Sequence, residues 1–142
     1  MKTVLISPLG ASKGLLYTAL QLTKPMLVVV LTSKEFSVSA EEILEKTAHK
    51  EKQILTMKDV FTGFNEADSL VSEVKALCCS SDLITINLTG GTTAMQWIMQ
   101  AIYETLNSEN FRVKRVAFID RRDSFEQKKN PYVIGELYEI DK

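Results

Sequence analysis

The residues best suited to chemistry in this sequence are small, hydroxylated or flexible rather than charged. The run Asn87-Leu88-Thr89-Gly90-Gly91-Thr92-Thr93 combines an amide, several hydroxyls and two adjacent glycines. Gly90 and Gly91 allow backbone dihedrals, or a close ligand approach, that a Cβ would forbid. Thr92 and Thr93 then open a long amphipathic stretch, whose first N–H groups would form an anion site. Three other segments share this character: Ser7-Pro8-Leu9-Gly10-Ala11-Ser12-Lys13, Thr32-Ser33-Lys34-Glu35-Phe36, and the segment opening Asp120-Arg121-Arg122-Asp123. Hydroxyls, helix N-termini and guanidinium groups suit phosphate and ribose. Carboxylates are few here, mainly Glu35, Asp120 and Asp123. Metal-dependent hydrolysis needs a cluster of Asp, Glu or His, and none is visible, so neither a metal nor a cofactor is expected.

Two common nucleotide motifs fail. Gly10-Ala11-Ser12-Lys13-Gly14 does not have the G-x-G-x-x-G spacing, and no clear acidic residue ends the second strand to hold a ribose. Neither the Gly10 turn nor the Gly90 turn fits G-x-x-x-x-G-K-[ST]. Each candidate also has a plain structural use. Gly90-Gly91 would serve as a tight turn, Ser12 as a helix N-cap, and Arg121-Arg122 as a solvated pair. His49 reads as an exposed helix-end residue beside Lys50, Glu51 and Lys52, and Trp97 as a core or interface residue. Cys78 and Cys79 are adjacent rather than spaced as a metal pair, and read as core or near-core thiols on a helix. Only convergence of the four segments favours the functional use.

The surrounding elements bring them together. Residues 3–7 form a β-rich run ended by Pro8 and Gly10, followed by a helix carrying Leu15, Leu16, Ala19, Leu20 and Leu22 and ending near Lys24-Pro25. Residues 26–32 are a continuous apolar strand. Ser39 and Glu42 have capping-box spacing, which predicts a short, charged surface helix with Ile43, Leu44 and Thr47. A weaker strand covers 53–57. A third helix starts at Asn65 or Asp68, with Ala67, Leu70, Val71, Val74, Leu77 and Cys78 on one face. The strand 83–87 leads into a helix with Met95, Ile98, Met99, Ile102 and Leu106 on one side, ending within 107–110. A fifth strand covers 114–120. This alternation predicts a doubly wound, Rossmann-like, mostly parallel α/β sheet, with all four segments at the carboxyl edge of the strands. Residues 121–131 lack helical periodicity. Residues 133–140 alternate as a final strand, which must run antiparallel at the sheet edge because no crossover helix precedes it.

Composition sets the limits. The chain has 142 residues, enough for one domain over 1–142, with 45% hydrophobic and 25% charged residues. Its net charge of −1 argues against a partner as long and anionic as a nucleic-acid strand. The longest apolar run, 26–31, is far below the roughly 20 residues that span a bilayer, so no membrane partner is expected. Val4-Leu5-Ile6 is broken at once by Ser7-Pro8, unlike a signal peptide, which leaves the cytoplasm as the expected compartment.

The Asn-Leu-Thr-Gly-Gly-Thr-Thr run, the Ser-Pro-Leu-Gly-x-Ser turn at Ser7 to Ser12, and Asp120-Arg121-Arg122 together resemble the CRISPR-associated Rossmann fold, the CARF domain, over nearly the whole chain. The resemblance implies a homodimer whose two-fold axis passes between the Gly-Gly turns. It also implies a cyclic oligoadenylate, usually the tetramer and sometimes the hexamer, bound across that axis. A ring of identical nucleotides has a symmetry that a two-fold interface can match. On this resemblance Ser7, Leu9, Gly10, Ala11, Lys13, Ser33, Asn87, Thr89, Gly90, Gly91, Thr92 and Thr93 bind the ligand. Ser12 positions a ribose 2′-OH, N–H groups near Gly91 and Thr92 hold a phosphate, and Arg121 or Arg122 supplies positive charge. Many relatives carry Lys where this chain has Thr93, so a cation there must come from Lys13 or Arg121, or be absent. No second domain is visible, and the first expectation is a stand-alone, metal-independent ring nuclease. A non-catalytic sensor module is the alternative. An unrelated mononucleotide- or NAD-binding protein is the third.

Overall fold

Leu27, Val29 and Leu31 face one side of the central sheet and Val28 and Val30 the other, and all five are buried. That double burial is why this strand reads as an unbroken apolar run. The computed structural model describes residues 1–49 and 51–141. The strands are β1 (Thr3–Leu9), β2 (Leu27–Ser33), β3 (Lys52–Met57), β4 (Leu83–Asn87), β5 (Val113–Ile119) and β6 (Glu136–Glu139). They form one sheet in the order β3-β2-β1-β4-β5-β6, parallel throughout except for the antiparallel β5–β6 pair. The helices are α1 (Lys13–Thr23), α2 (Ser37–Lys46), α3 (Ala67–Leu77), α4 (Thr93–Ser108) and α5 (Ser124–Lys129). Leu16, Ala19 and Leu20 of α1 and Ala40, Ile43 and Leu44 of α2 pack on one face, against Leu5, Val28, Val30 and Phe118. Leu70 and Val74 of α3 and Met95, Ile98, Met99 and Ile102 of α4 pack on the other, against Val4, Ile6, Val29 and Ile86. The fold is therefore the expected Rossmann-like α/β sheet with an antiparallel edge strand.

Several local expectations give way. β1 does not stop before Pro8; it continues to Leu9, with Pro8 opposite Leu31 in β2. Its pairing with β4 ends at Ile6 and Ile86, so beyond that point β1 is an edge on its β4 side, where proline is tolerated. The Ser39–Glu42 box does not form. Ser33 Oγ accepts from Phe36 N at 3.1 Å and Ser37 Oγ donates to the Lys34 carbonyl at 2.8 Å. That turn starts α2 at Ser37, two residues early, with no side-chain cap. Nor is α2 merely superficial, since Ala40, Ile43 and Leu44 are fully enclosed, although Val38 is exposed. A 3-10 turn at Gly63–Glu66 leads into α3. Leu70, Val74 and Cys78 lie one turn apart and are buried, which turns the neighbouring Cys79 outward; it is exposed, not a core thiol.

Residues 121–131 are not wholly irregular. Asp123 caps α5, accepting from Glu126 N at 2.9 Å. The chain then crosses α1, where Gly135 N donates to Thr18 Oγ1 at 3.1 Å and that hydroxyl donates to the Val133 carbonyl at 3.4 Å. β6 is consequently shorter than the alternation 133–140 suggests. His49 lies past the end of α2, half-buried rather than exposed, with Nδ1 3.0 Å from Thr47 Oγ1. Trp97 is 59% exposed and so is not a core residue. Among the described residues, no helix is long and apolar enough to cross a membrane.

Candidate ligand-binding site

β1 and β4 are neighbours whose following helices lie on opposite faces of the sheet. That is the switch point at which open α/β sheets form a crevice. The ladder between them stops at Ile6 and Ile86, and side chains take over. Asn87 Nδ2 donates to Ser7 Oγ at 2.9 Å, and Ser7 Oγ donates to the Pro8 carbonyl at 3.1 Å. Asn87 Oδ1 accepts from Thr89 N at 2.8 Å, bending the chain out of β4. Thr89 Oγ1 in turn accepts from Phe118 N at 2.9 Å. Ser7 and Asn87 are fully buried, so Ser7, Asn87 and Thr89 set the shape of the crevice rather than facing it.

The two turns above them abut. A Cβ on Gly10 would stand 3.1 Å from Gly91 Cα. Gly90 and Gly91 have φ of +97° and +79°, the region where a side chain costs about 1–2 kcal/mol. Thr92 caps α4, accepting from Met95 N at 3.2 Å and donating to the Val60 carbonyl. That second bond ties the segment after β3 to the glycine turn. The Thr92 N–H is taken by Met95 Sδ at 3.4 Å, a weak acceptor. Gly91 and Thr93 N–H groups have no acceptor among the described residues. The expected donor at Thr92 thus moves to its neighbours.

A cavity of about 400 Å³ opens over these turns, lined by Leu9, Gly10, Ala11, Ser12, Ser33, Glu35, Phe36, Val60, Phe61, Gly90, Gly91, Thr92 and Met95. It gathers Leu9, Gly10, Ala11, Ser12, Ser33, Gly90, Gly91 and Thr92 of the expected binding residues, and the terminal hairpin does not reach it. Thr93 is exposed on the first turn of α4, outside the lining. Ser12 stands at the N-cap of α1 but makes no cap hydrogen bond. Among the described residues its hydroxyl has no hydrogen-bond partner, where the sequence suggested a cap.

The cations are elsewhere. Lys13 lines a neighbouring cavity of about 230 Å³ with Asp120, Ser124, Gln127 and Pro131, and lies 5.8 Å from the Tyr132 ring. Arg121, largely exposed, pairs with Glu136 at 2.6 Å. Arg122 forks onto Asp120, Nε to Oδ1 at 3.0 Å and Nη2 to Oδ2 at 2.8 Å. Arg122 holds the Asp120 carboxyl below the usual carboxylate range. Neither arginine lines the larger cavity. Five lining residues were not among the expected site residues: Phe36 was read only as the end of its loop and Met95 only as an apolar residue of α4, and three others are Glu35, Val60 and Phe61. Glu35 was recognised in its loop but not as the acid past β2, and Val60 and Phe61 come from a segment after the weak β3. Phe61 is 76% exposed at the cavity. Beside the glycine turn, on the outside of α4, Trp97 meets Phe64 edge-to-face at 6.1 Å. Among the described residues, no group of three His, Cys, Asp or Glu side chains could hold a metal ion.

No family model and no curated protein matches the chain. Among solved structures, a UDP-GlcNAc 2-epimerase from Neisseria meningitidis, solved bound to UDP-GlcNAc, is 10% identical with a TM-score of 0.55, over 91% of this chain and 35% of that one. A putative UDP-N-acetylglucosamine 2-epimerase from Listeria monocytogenes is 14% identical with a TM-score of 0.51, over 81% of this chain and 31% of that one. The chain spans about a third of the length of each. At such identities the likeness establishes the Rossmann-like fold and nothing about chemistry.

Proposed function

We propose that the chain is a CARF-type cytoplasmic protein that binds a cyclic oligoadenylate across a homodimer and opens the ring slowly without a metal. One observation carries the reading: the β1–α1 and β4–α4 turns touch at the switch point and floor an open cavity. That cavity offers glycine backbone, the unbonded Gly91 N–H and a hydroxyl on Ser12 without a partner among the described residues. The Gly91 N–H on that floor suits a phosphodiester oxygen, and the apolar walls of Leu9, Val60, Phe61 and Met95 suit the face of a base. The exposed Trp97 and Phe64 beside it are suited to burial against a second copy.

Ring opening proceeds within the ligand. A ribose 2′-oxygen attacks the adjacent phosphorus and loses its proton to solvent. The bond from phosphorus to the 5′-oxygen breaks, and that oxygen leaves as a hydroxyl after gaining a proton from water. The product is linear, with a 2′,3′-cyclic phosphate. Ser12 Oγ orients the 2′-hydroxyl, and the Gly91 N–H holds a non-bridging oxygen. The chain thus contributes alignment and charge stabilisation. With both arginines engaged by carboxylates, no free guanidinium assists, and turnover is slow. That same pairing, together with Thr93, favours a second reading, a sensor that binds without cleaving.

Calorimetric titration with cyclic tetra-adenylate tests the binding, with an expected stoichiometry of one ring per two chains. Overnight incubation of labelled ring in EDTA tests the chemistry, with linear cyclic-phosphate product expected. Binding with an intact ring leaves the sensor reading; no binding of tetramer or hexamer ends both.

A further inference from the structure

Among the described residues, Glu35 is the one ionisable side chain that lines the cavity. It lies two residues past the end of β2, and its carboxylate has no hydrogen-bond or ion-pair partner among the described residues. A bare carboxylate is an awkward neighbour for a phosphate, which brings only acceptors and negative charge. It is a good acceptor for hydroxyl groups. The cavity is therefore divided: donors at the glycine turn on one side, an acceptor at the end of β2 on the other. β2 is the strand next to β1 on the side away from β4, so the acid flanks the Gly10 turn across the crevice. In doubly wound sheets that bind a phosphate over the first turn, an acid about 20 residues further on, near the end of the second strand, meets ribose hydroxyls. The Gly10 turn departs from the usual glycine spacing, yet the acid occupies the corresponding place.

We infer that Glu35 is a specificity residue that accepts a hydrogen bond from a ribose 2′-hydroxyl, so that the site takes ribonucleotide rings and rejects deoxyribonucleotide rings. The inference rests on the cyclic-oligoadenylate reading and adds to it which sugar the cavity selects, and through which side chain. A carboxylate that loses a hydroxyl partner but keeps its place in a closed site forfeits a charged hydrogen bond, on the order of tenfold in affinity or more.

The test compares the full chain and Glu35→Gln, each titrated with cyclic tetra-adenylate and with the all-2′-deoxy ring. Glu35 is exposed, and equal thermal melting of the two proteins controls for folding. The wild type is expected to bind the ribose ring at least about tenfold tighter, and E35Q to shrink that ratio to about twofold. Taking the ratio of ratios removes the effect of sugar pucker, which is the same for both proteins. An unchanged ratio in E35Q overturns the inference while leaving the ring reading intact. Equal weakening of both rings also overturns it, because the carboxylate would then be meeting the base. If the wild type binds neither ring, the reading beneath the inference fails and the inference fails with it.

Discussion

Ser12 separates structural from chemical roles because its position and its bonding disagree. It occupies the N-cap of α1, where a serine hydroxyl normally accepts from an N–H in the first turn, yet no such bond forms. Losing a working cap costs about 0.5–2 kcal/mol. Ser12→Ala is therefore expected to change stability by less than about 0.5 kcal/mol in urea unfolding, the range of ordinary surface substitutions. On the proposed ring-nuclease reading it is expected to slow ring opening at least about tenfold, as for the loss of a group that orients the attacking oxygen. A stability loss of a full cap would show that the hydroxyl bonds to α1 in solution and would remove it from the chemistry. From the sequence alone Ser12 is a serine before a helix, and both roles look the same. The difference lies in a backbone ψ of 73°, which no residue type announces. Gly90 and Gly91 were legible for the opposite reason: paired glycines between a strand and a helix signal a turn with positive φ, and both have it. Ser7, Asn87 and Thr89 looked like ligand contacts because small polar residues at a strand end serve either a ligand or the bend itself. Here they serve the bend.

The C-terminal elements are held by charge where apolar burial is thin. α5 buries no residue completely and β6 is exposed along its length. In compensation, Arg115 grips Asp141 with Nε at 2.9 Å and Nη2 at 3.0 Å while its guanidinium lies 4.0 Å from the Tyr103 ring, and Arg122 grips Asp120. Hydrogen bonds from Arg115 and Arg122 hold the Asp141 and Asp120 carboxyls below their usual range. The unfolded chain therefore binds protons more readily at both sites. Their stabilisation is complete above the ordinary carboxylate value of about 3.9 and is lost as pH falls through the lower folded values. Urea midpoints are expected to drop steeply below about pH 4, and Asp141→Asn to flatten that drop while lowering the midpoint at neutral pH. An equal slope in Asp141→Asn would show that the clasp is open in solution. This thin burial also explains what the sequence hid. A helix with no apolar stripe has no period to detect, and only the Asp123 to Glu126 spacing marked its start. The crossover helices, with apolar residues every third or fourth position, were plain, as was β4, both of whose faces are covered.

At the scale of the whole molecule, one chain supplies a floor and one wall of the cavity and leaves an aromatic pair uncovered beside them. Trp97 is 59% exposed and Phe64 41%, and together they form an edge-to-face pair that faces solvent in a single chain. If the functional unit is the proposed dimer, we place this exposed pair within its interface as the anchor for the second copy. Buried tryptophans at such interfaces commonly contribute 2 kcal/mol or more, which is about thirtyfold in dimer dissociation. Trp97→Glu leaves the core untouched and adds a charge that would be buried unpaired on association. It is expected to melt with the wild type at low protein concentration but to sediment as a monomer at concentrations where the wild type is a dimer. On the proposed reading ring affinity should fall with it, since each half-site of the proposed dimer would contact half of the ring. A wild type that sediments as a monomer even with saturating ring, or a Trp97→Glu protein that remains dimeric, would move the interface elsewhere. The second outcome would make the aromatic pair an accident of the α3–α4 surface and leave the glycine turns without a demonstrated partner. The sequence offered the ingredients of this surface but not its exposure. A tryptophan two turns from a glycine pair reads equally as core or interface until the opposite side of α4 is seen to be filled by Ile98, Met99 and Ile102.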